Sequence, residues 1–189
     1  KGQHHFLKAV HILNDLGYSN RFNAFIMGGR LDEYQYYINY LQQYIDKEHI
    51  SNFLLLDYQK KPLPYINSMD VVIMCSIFQE LFTIGNNSEE IFGNEGLPRI
   101  IIESMLLEKP VIGTNVAGTK EMIVNNETGL LISPGDPKEL AYAMKRFIDN
   151  PDEIIFMSKK AYSVCLDKFL INTNVAKIVA LYKSVLNRI

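Results

Sequence analysis

Residues 95–121 of the chain read EGLPRIIIESMLLEKPVIGTNVAGTKE, and this stretch decides how the rest is interpreted. Pro98 suits the first position of a helix, because its φ angle is already helical and its missing N–H would have no partner there. The apolar residues that follow predict a helix over residues 99–108, which Lys109-Pro110 ends. Residues 111–112 then predict a short buried strand.

Two glutamates flank the predicted helix start. Glu95 lies just before it, and Glu103 lies about one turn inside it. A helix start attracts anions, because its N–H groups and the helix dipole point outward. A carboxylate can accept hydrogen bonds from both hydroxyls of a vicinal diol. An anion site with a carboxylate on either side therefore suits a ligand that has a phosphate between two diols, and a nucleotide sugar is such a ligand. Taken alone, the pair equally fits a capped helix with two solvated glutamates.

The amino-acid sequence around these glutamates is more specific than the spacing between them. Glu95 and Glu103 are the two ends of a Glu-x₇-Glu motif, and Arg99 and Met105 lie at characteristic positions of that motif. Three later segments add to the same sequence pattern, namely Lys-Pro-Val-Ile, Ala-Gly-Thr-Lys-Glu and Asn-Asn-Glu-Thr-Gly-Leu-Leu-Ile-Ser-Pro-Gly-Asp. The chain, from Lys1 onward, resembles the C-terminal donor-binding domain of retaining glycosyltransferases of the GT-B fold, of the group 1 or family 4 type.

That resemblance implies a function and a domain organisation. Residues 1–189 would form one nucleotide-sugar (donor) binding domain, with the N-terminal acceptor domain absent from this chain. The parent enzyme would transfer a hexosyl group to a hydroxyl acceptor, in polysaccharide or glycoconjugate synthesis. It would need no metal and would allow peripheral membrane association through the missing domain.

The resemblance also assigns roles to residues. Glu103 would bind the ribose hydroxyls and Glu95 the hydroxyls of the donor sugar, while Lys1 and the helix start would neutralise the leaving diphosphate. Glu95 and Lys1 are therefore the candidate catalytic residues. One departure is Leu97-Pro98, where the family usually has Phe-Gly, so a backbone N–H toward the donor sugar is missing. The further candidate substrate-binding residues are Gly28, Gly29, Tyr58, Arg99, Ile100, Thr114 and Gly118.

Strands and helices alternate along the chain. The pattern predicts strands over residues 21–27, 53–56, 71–75, 111–112 and 129–132, and helices over residues 1–16, 31–47, 61–68, 99–108, 137–148, 153–169 and 171–186. Asp136 is predicted to cap the helix over residues 137–148, because Pro137 suits its first position. This alternation predicts an α/β fold, a Rossmann-like doubly wound parallel sheet of five or six strands. Ligands sit beyond the carboxyl ends of such strands, where Gly28-Gly29, Asp57-Tyr58, Cys75-Ser76 and Gly113-Thr114 fall.

Residues 77–94 are an insertion, because the family usually has only a handful of residues here. A loop of this length is usually mobile or functional. We expect it to border the donor pocket and to contact the missing domain or a partner. Full burial within this domain alone would contradict that expectation.

Composition excludes several classes of protein. The 189 residues are 48% hydrophobic with a net charge of -2, which fits one globular domain and gives no electrostatic case for nucleic acid. Two cysteines form no disulfide framework, so a cytoplasmic location is expected. The four histidines show no metal-ligand spacing, and His4 and His5 are not expected to face one direction on a helix, so no metal site is predicted.

Two other functions remain open at the level of sequence. The first is another enzyme class on the same fold, such as a nucleotide-sugar epimerase or a phosphorylase, although no motif for a lysine-linked pyridoxal cofactor is visible. The second is a non-catalytic binding or interaction domain that uses the insertion as its surface. The departure at Leu97-Pro98 keeps this second alternative open.

Overall fold

The computed structural model describes residues 2–28, 35–84, 87–93 and 95–186 of the chain. Its strands are β1 Ala24–Met27, β2 Phe53–Leu56, β3 Val72–Met74, β4 Gln79–Ile84, β5 Asn87–Phe92, β6 Val111–Thr114 and β7 Gly129–Ile132. Its helices are α1 Gln3–Asp15, α2 Gln35–Lys47, α3 Leu63–Ser68, α4 Arg99–Leu106, α5 Ala117–Met122, α6 Pro137–Asp149, α7 Pro151–Lys168 and α8 Ile171–Leu186.

Five of the described strands pair in parallel, as the alternating pattern predicts. β1 pairs with β2, and β6 lies between β3 and β7. The prediction of a parallel α/β domain is confirmed, although the five strands form one two-stranded and one three-stranded sheet. β4 and β5 form a separate antiparallel hairpin.

Helices cover both faces of the sheet of β3, β6 and β7, because the side chains of its strands are apolar on both sides. One buried cluster joins α1, α2 and α6 to the strands, through residues such as Leu13, Leu41 and Phe147. A second cluster joins α3, α4 and α7 to the strands, through residues such as Ile66 and Ile101. This is the doubly wound arrangement that the sequence predicts.

Several element boundaries differ from the sequence predictions. The first strand begins at Ala24 rather than at residue 21, and α7 begins at Pro151, where a proline fits the first helical turn. The cap of α6 is confirmed, since the carboxylate of Asp136 accepts hydrogen bonds from the backbone of Lys138 and Glu139. The predicted helix over residues 31–47 is described from Gln35 onward, and its first four residues lie outside the described residues.

The insertion is a hairpin rather than a loop without secondary structure. Along β4 the side chains alternate, with Glu80 and Phe82 turned toward the domain and Leu81 turned outward. Phe82 is 7% exposed and packs on the rings of Tyr37 and Tyr40, whereas Leu81 is 68% exposed. One face of the hairpin is thus docked on the domain and the other is open, so the insertion is not fully buried here. Within the described residues, the helices lack the combination of length and apolarity that crossing a membrane requires.

Candidate donor-binding site

The carboxyl ends of the parallel strands form the edge at which the candidate residues gather. Met27 pairs with Leu56 at the end of β1 and β2, and the N–H of Gly28 donates to the carbonyl of Leu56 at 3.3 Å. Gly28 and Asp57-Tyr58 therefore share one edge, as the sequence predicts. Gly113 pairs with both Met74 and Leu131, which aligns the ends of the other three strands.

α1 begins at this same edge. Gly2 caps α1 with a positive φ of 77°, and a Cβ built on it would lie 2.1 Å from the carbonyl oxygen of Cys75. Only glycine allows this approach, because any side chain would overlap the backbone just after β3. The N-terminus of α1 is therefore held against the carboxyl end of β3. Lys1, which precedes Gly2, lies outside the described residues.

The loop that carries Glu95 is fixed by close packing on α5. The N–H of Gly118 donates to the carbonyl oxygen of Glu95 at 3.0 Å. A Cβ built on Gly118 would lie 1.7 Å from the carbonyl oxygen of Gly96, which no side chain could tolerate. Because α5 follows the carboxyl end of β6, this contact places the backbone of Glu95 at the carboxyl edge of the sheet. Glycine at 118 is thus explained by packing between two loops.

The start of α4 has the features of an anion site. Pro98 is the N-cap residue, and no side chain of the described residues forms a cap hydrogen bond there. Arg99 is exposed at the first position. Glu103 lies one turn further along, on the side of α4 opposite the buried Ile101 and Met105. Its half-buried carboxylate has no hydrogen-bond partner among the described residues, so it can accept from a ligand.

Some of the other predicted site residues are accessible to a ligand, whereas others are engaged in packing or hydrogen bonds within the domain. A Cβ built on Gly28 meets nothing within 4 Å, and Tyr58 is 69% exposed, so both can approach a ligand. Thr114 is buried, and its hydroxyl donates to the carbonyl of Ser76 at 2.5 Å, which ties the end of β6 to the chain after β3. Ile100 packs partly against the second core cluster. Gly29 lies outside the described residues.

Sequence reasoning missed a cluster of polar side chains where the hairpin meets α1. The carboxylate of Glu80 accepts hydrogen bonds from Nε2 of His5 at 2.8 Å and from Nε2 of His4 at 3.2 Å. The hydroxyl of Tyr37 lies 3.0 Å from Nδ1 of His4 and accepts the backbone N–H of His4 at the same distance. We call His4, His5 and Glu80 the histidine cluster.

The expectation that His4 and His5 cannot face one direction is wrong. Adjacent helical residues point about 100° apart, but the two rings bend toward each other, with centroids 4.0 Å apart. Glu80 offers two oxygens, and each ring uses a different one. The arrangement depends on side-chain contacts between β4 and α1, which no local sequence pattern reveals.

Burial sets the charge state of the histidine cluster. Burial, together with repulsion from His5, lowers the pKa of His4 to about 4, so this ring is neutral at neutral pH. Burial opposes ionisation of Glu80, but the hydrogen bonds and electrostatic attraction from His5 and His4 together outweigh it and lower the pKa of that carboxyl. Burial also raises the pKa of Tyr37, which keeps its hydroxyl protonated. The neutral imidazole of His4 therefore lies beside the ionised carboxylate of Glu80.

The chain is similar to known glycosyltransferases in sequence and in fold. The capsular polysaccharide biosynthesis glycosyltransferase CapM of Staphylococcus aureus is 29% identical over 99 residues, which cover 52% of this chain and 22% of that protein. Anabaena Alr3699/HepE in complex with UDP superposes with a TM-score of 0.81 at 22% identity, over 97% of this chain and 45% of HepE. The chain therefore spans less than half the length of HepE.

A structure of one domain alone gives the same fold. The C-terminal domain of the glycosyl transferase group 1 family protein LpcC from Francisella tularensis has a TM-score of 0.73 at 19% identity, over 90% of this chain and 80% of that domain. The family described as "Glycosyl transferases group 1" matches residues 1–164. That match covers most of the sequence, including every candidate site residue, and so the chain belongs to the group 1 glycosyl transferases.

Proposed function

We propose that the chain is the donor-binding domain of a retaining glycosyltransferase that transfers a hexosyl group from a nucleotide sugar to a hydroxyl acceptor. The observation that carries this proposal is the contact of Gly118 with the loop at Glu95 and Gly96. It holds the backbone of the loop at Glu95, which leads into the uncapped start of α4, at the carboxyl ends of the strands, where ligands of such folds bind. UDP and UDP-glucose are bound by HepE, which shares the fold, and this supports a nucleotide sugar as the ligand.

In this proposal the residues at the start of α4 bind different parts of the nucleotide sugar. The N–H groups of α4, with Lys1, neutralise the leaving diphosphate without a metal, because a helix start favours negative charge. Glu103 accepts hydrogen bonds from the ribose, and Glu95 from the donor sugar. Stabilisation of the charge that develops on the leaving group would supply most of the catalysis.

The acceptor and the membrane role belong to the rest of the parent enzyme. A second domain holds the hydroxyl acceptor, and attack from the face of the departing diphosphate retains the anomeric configuration. CapM is named for capsular polysaccharide biosynthesis, which supports a role in polysaccharide synthesis here. This domain alone would then bind donor and transfer nothing.

Titration of UDP-, GDP- and ADP-sugars by calorimetry tests the proposal. We expect one of these donors to bind, and Glu103→Gln to weaken its binding about tenfold or more, since a hydrogen bond to a charged group contributes about 1.5–3 kcal/mol. Glu121→Gln is the matched control, because Glu121 is exposed on α5 and is expected to leave binding unchanged. Failure to bind any nucleotide sugar, or equal loss in both variants, would refute the donor site.

A further inference from the structure

We propose that the histidine cluster binds a Zn²⁺ ion that clamps the β4–β5 hairpin onto the start of α1. His4 and His5 come from α1, and Glu80 comes from β4, about seventy-five positions along the chain. A metal held by all three would link two elements that are otherwise far apart in sequence. The proposal does not depend on the donor site, since its ligands are separate from Glu95 and Glu103.

The geometry of the donors suits zinc. One ligand atom from each of the three side chains lies within 4.8 Å of the others. The Glu80 oxygens are 2.8 Å from Nε2 of His5 and 3.2 Å from Nε2 of His4. Ligands at about 2.0–2.1 Å from a tetrahedral Zn²⁺ lie about 3.3–3.4 Å apart, so the two distances from Glu80 to the histidines are close to those of a tetrahedral site. Imidazole nitrogen with carboxylate oxygen is a donor set that zinc prefers.

The surroundings prepare the two imidazoles for coordination. His4 is 1% exposed, and its Nδ1 faces the hydroxyl of Tyr37. When Nε2 binds a metal, the ring proton resides on Nδ1, where Tyr37 can accept it, as outer partners of metal-bound histidines commonly do. Nδ1 of His5 has no partner among the described residues, so no described contact prevents it from carrying the ring proton when Nε2 binds a metal.

The charge of Glu80 is essential to this site. The cluster lies in the first turn of α1, where the helix dipole is positive and disfavours a cation. A histidine that binds a metal does so as neutral imidazole and cannot offset that field, whereas a carboxylate ligand carries a negative charge that can. Removing the charge of Glu80, without changing its size, should therefore abolish binding.

The clamp has a structural purpose. An isolated two-stranded hairpin is marginally stable in water, and this hairpin has one open face that includes Leu81. A coordinate bond at Glu80, beside the packed ring of Phe82, would hold the hairpin at the edge where α1 begins. Metal binding of this kind adds directly to the stability of the elements it joins.

The test uses untagged chain, freed of metal by a chelator and titrated with ZnCl₂ against a chromophoric competitor. We expect one Zn²⁺ per chain, and Glu80→Gln and His5→Asn to bind at least about 100-fold more weakly, since even outer partners of ligands change affinity by about 10–100-fold. His49→Asn is the matched control, because His49 is exposed outside the cluster with a positive φ that asparagine tolerates. Equal binding by wild type and Glu80→Gln would overturn the site.

Two measurements on the wild type do not depend on the folding of any variant. Co²⁺ in place of Zn²⁺ should give the strong visible absorption of a four-coordinate ion, and its absence would overturn the proposal. Hydrogen exchange of residues 79–84 should slow when Zn²⁺ is added. Unchanged exchange at saturating metal would overturn the clamp.

Discussion

Gly118 is the residue at which packing and the candidate site meet most closely. Gly118→Ala places a methyl group on the carbonyl of Gly96, so the loop at Glu95 must move. We expect the free energy of unfolding, measured by urea denaturation, to fall by about 1–3 kcal/mol. Any binding of a nucleotide sugar should weaken with it.

Gly96→Ala is the matched control for that substitution. A Cβ built on Gly96 meets nothing within 4 Å, and its φ is not in the left-handed region. Its free energy of unfolding should stay within about 0.5–1 kcal/mol of wild type. Equal losses from both substitutions would show that the contact between the two loops is not the cause.

Asp149 carries a pH-dependent contribution to stability. Its carboxylate accepts hydrogen bonds from Lys145 at 2.6 Å, Tyr18 at 2.9 Å and Arg21 at 2.7 Å, and these lower its pKa to about 2. Because the folded pKa lies below the unfolded value of 3.8, the contribution is full above about pH 4 and is lost as the pH falls toward 2.

Asp149→Asn should therefore lower the urea midpoint relative to wild type at pH 6. The difference should shrink between pH 4 and pH 2, as the wild-type carboxyl becomes protonated. The effect should be small, because the group is partly exposed and water screens its charge. A difference that stays constant from pH 6 to pH 2.5 would contradict the assignment.

Rules based on neighbouring sequence positions predict the contacts of some residues but not of others. The cap at Asp136 follows from a side chain and backbone groups two or three positions away, so the sequence alone predicts it. The histidine cluster depends on the pairing of His4 and His5 with Glu80 on a distant strand. The rule that adjacent helical side chains point apart considers only the helix. It does not take account of Glu80, whose two carboxylate oxygens can each accept a hydrogen bond from a different ring.

At the scale of elements, the hairpin is the main difference between prediction and structure. Residues 79–84 read Gln-Glu-Leu-Phe-Thr-Ile, and an alternating pattern is hidden because the inward position 80 holds a charged residue. That charge faces two imidazoles instead of an apolar core. Helices with apolar stripes and proline starts, such as α4 and α6, were predictable because their signals are local.

The docking of the hairpin can be tested with neighbouring residues on its two faces. Phe82→Ala removes the ring that packs on Tyr37, Tyr40 and His4, at centroid distances of 5.2, 5.0 and 4.8 Å. Since a buried Phe→Ala change costs about 3–5 kcal/mol, hydrogen exchange of residues 79–84 should accelerate by about tenfold or more. Leu81→Ala, on the open face, should leave exchange unchanged. Acceleration by both variants equally would mean that the hairpin is not held by its inward face.

At the scale of the whole molecule, the sequence predicts the parallel architecture but not the division of its five strands into two sheets. Alternation of strands and helices indicates a doubly wound domain, because crossover connections force neighbouring strands to be parallel. Whether β1 and β3 hydrogen-bond depends on small displacements that no residue pattern encodes. The five parallel strands form two sheets, and the first buried cluster joins residues of both sheets to α1, α2 and α6.

α8 differs from every other long helix in the described chain because none of its residues is buried. Its apolar side chains are exposed and include Ile178 and Leu181. A helix that buries nothing contributes little to the folding of this domain, so its apolar residues are expected to favour association between chains at high concentration.

The double substitution Ile178→Glu with Leu181→Glu tests this expectation by calorimetry and sedimentation velocity. The thermal midpoint should change by no more than about 2–4 °C, since substitutions at exposed positions each change stability by about 0.5 kcal/mol or less. The sedimentation coefficient should become less dependent on concentration, because two charges interrupt the apolar face. A larger fall in the midpoint would contradict the exposed position of α8 and would show that its apolar face packs within the domain.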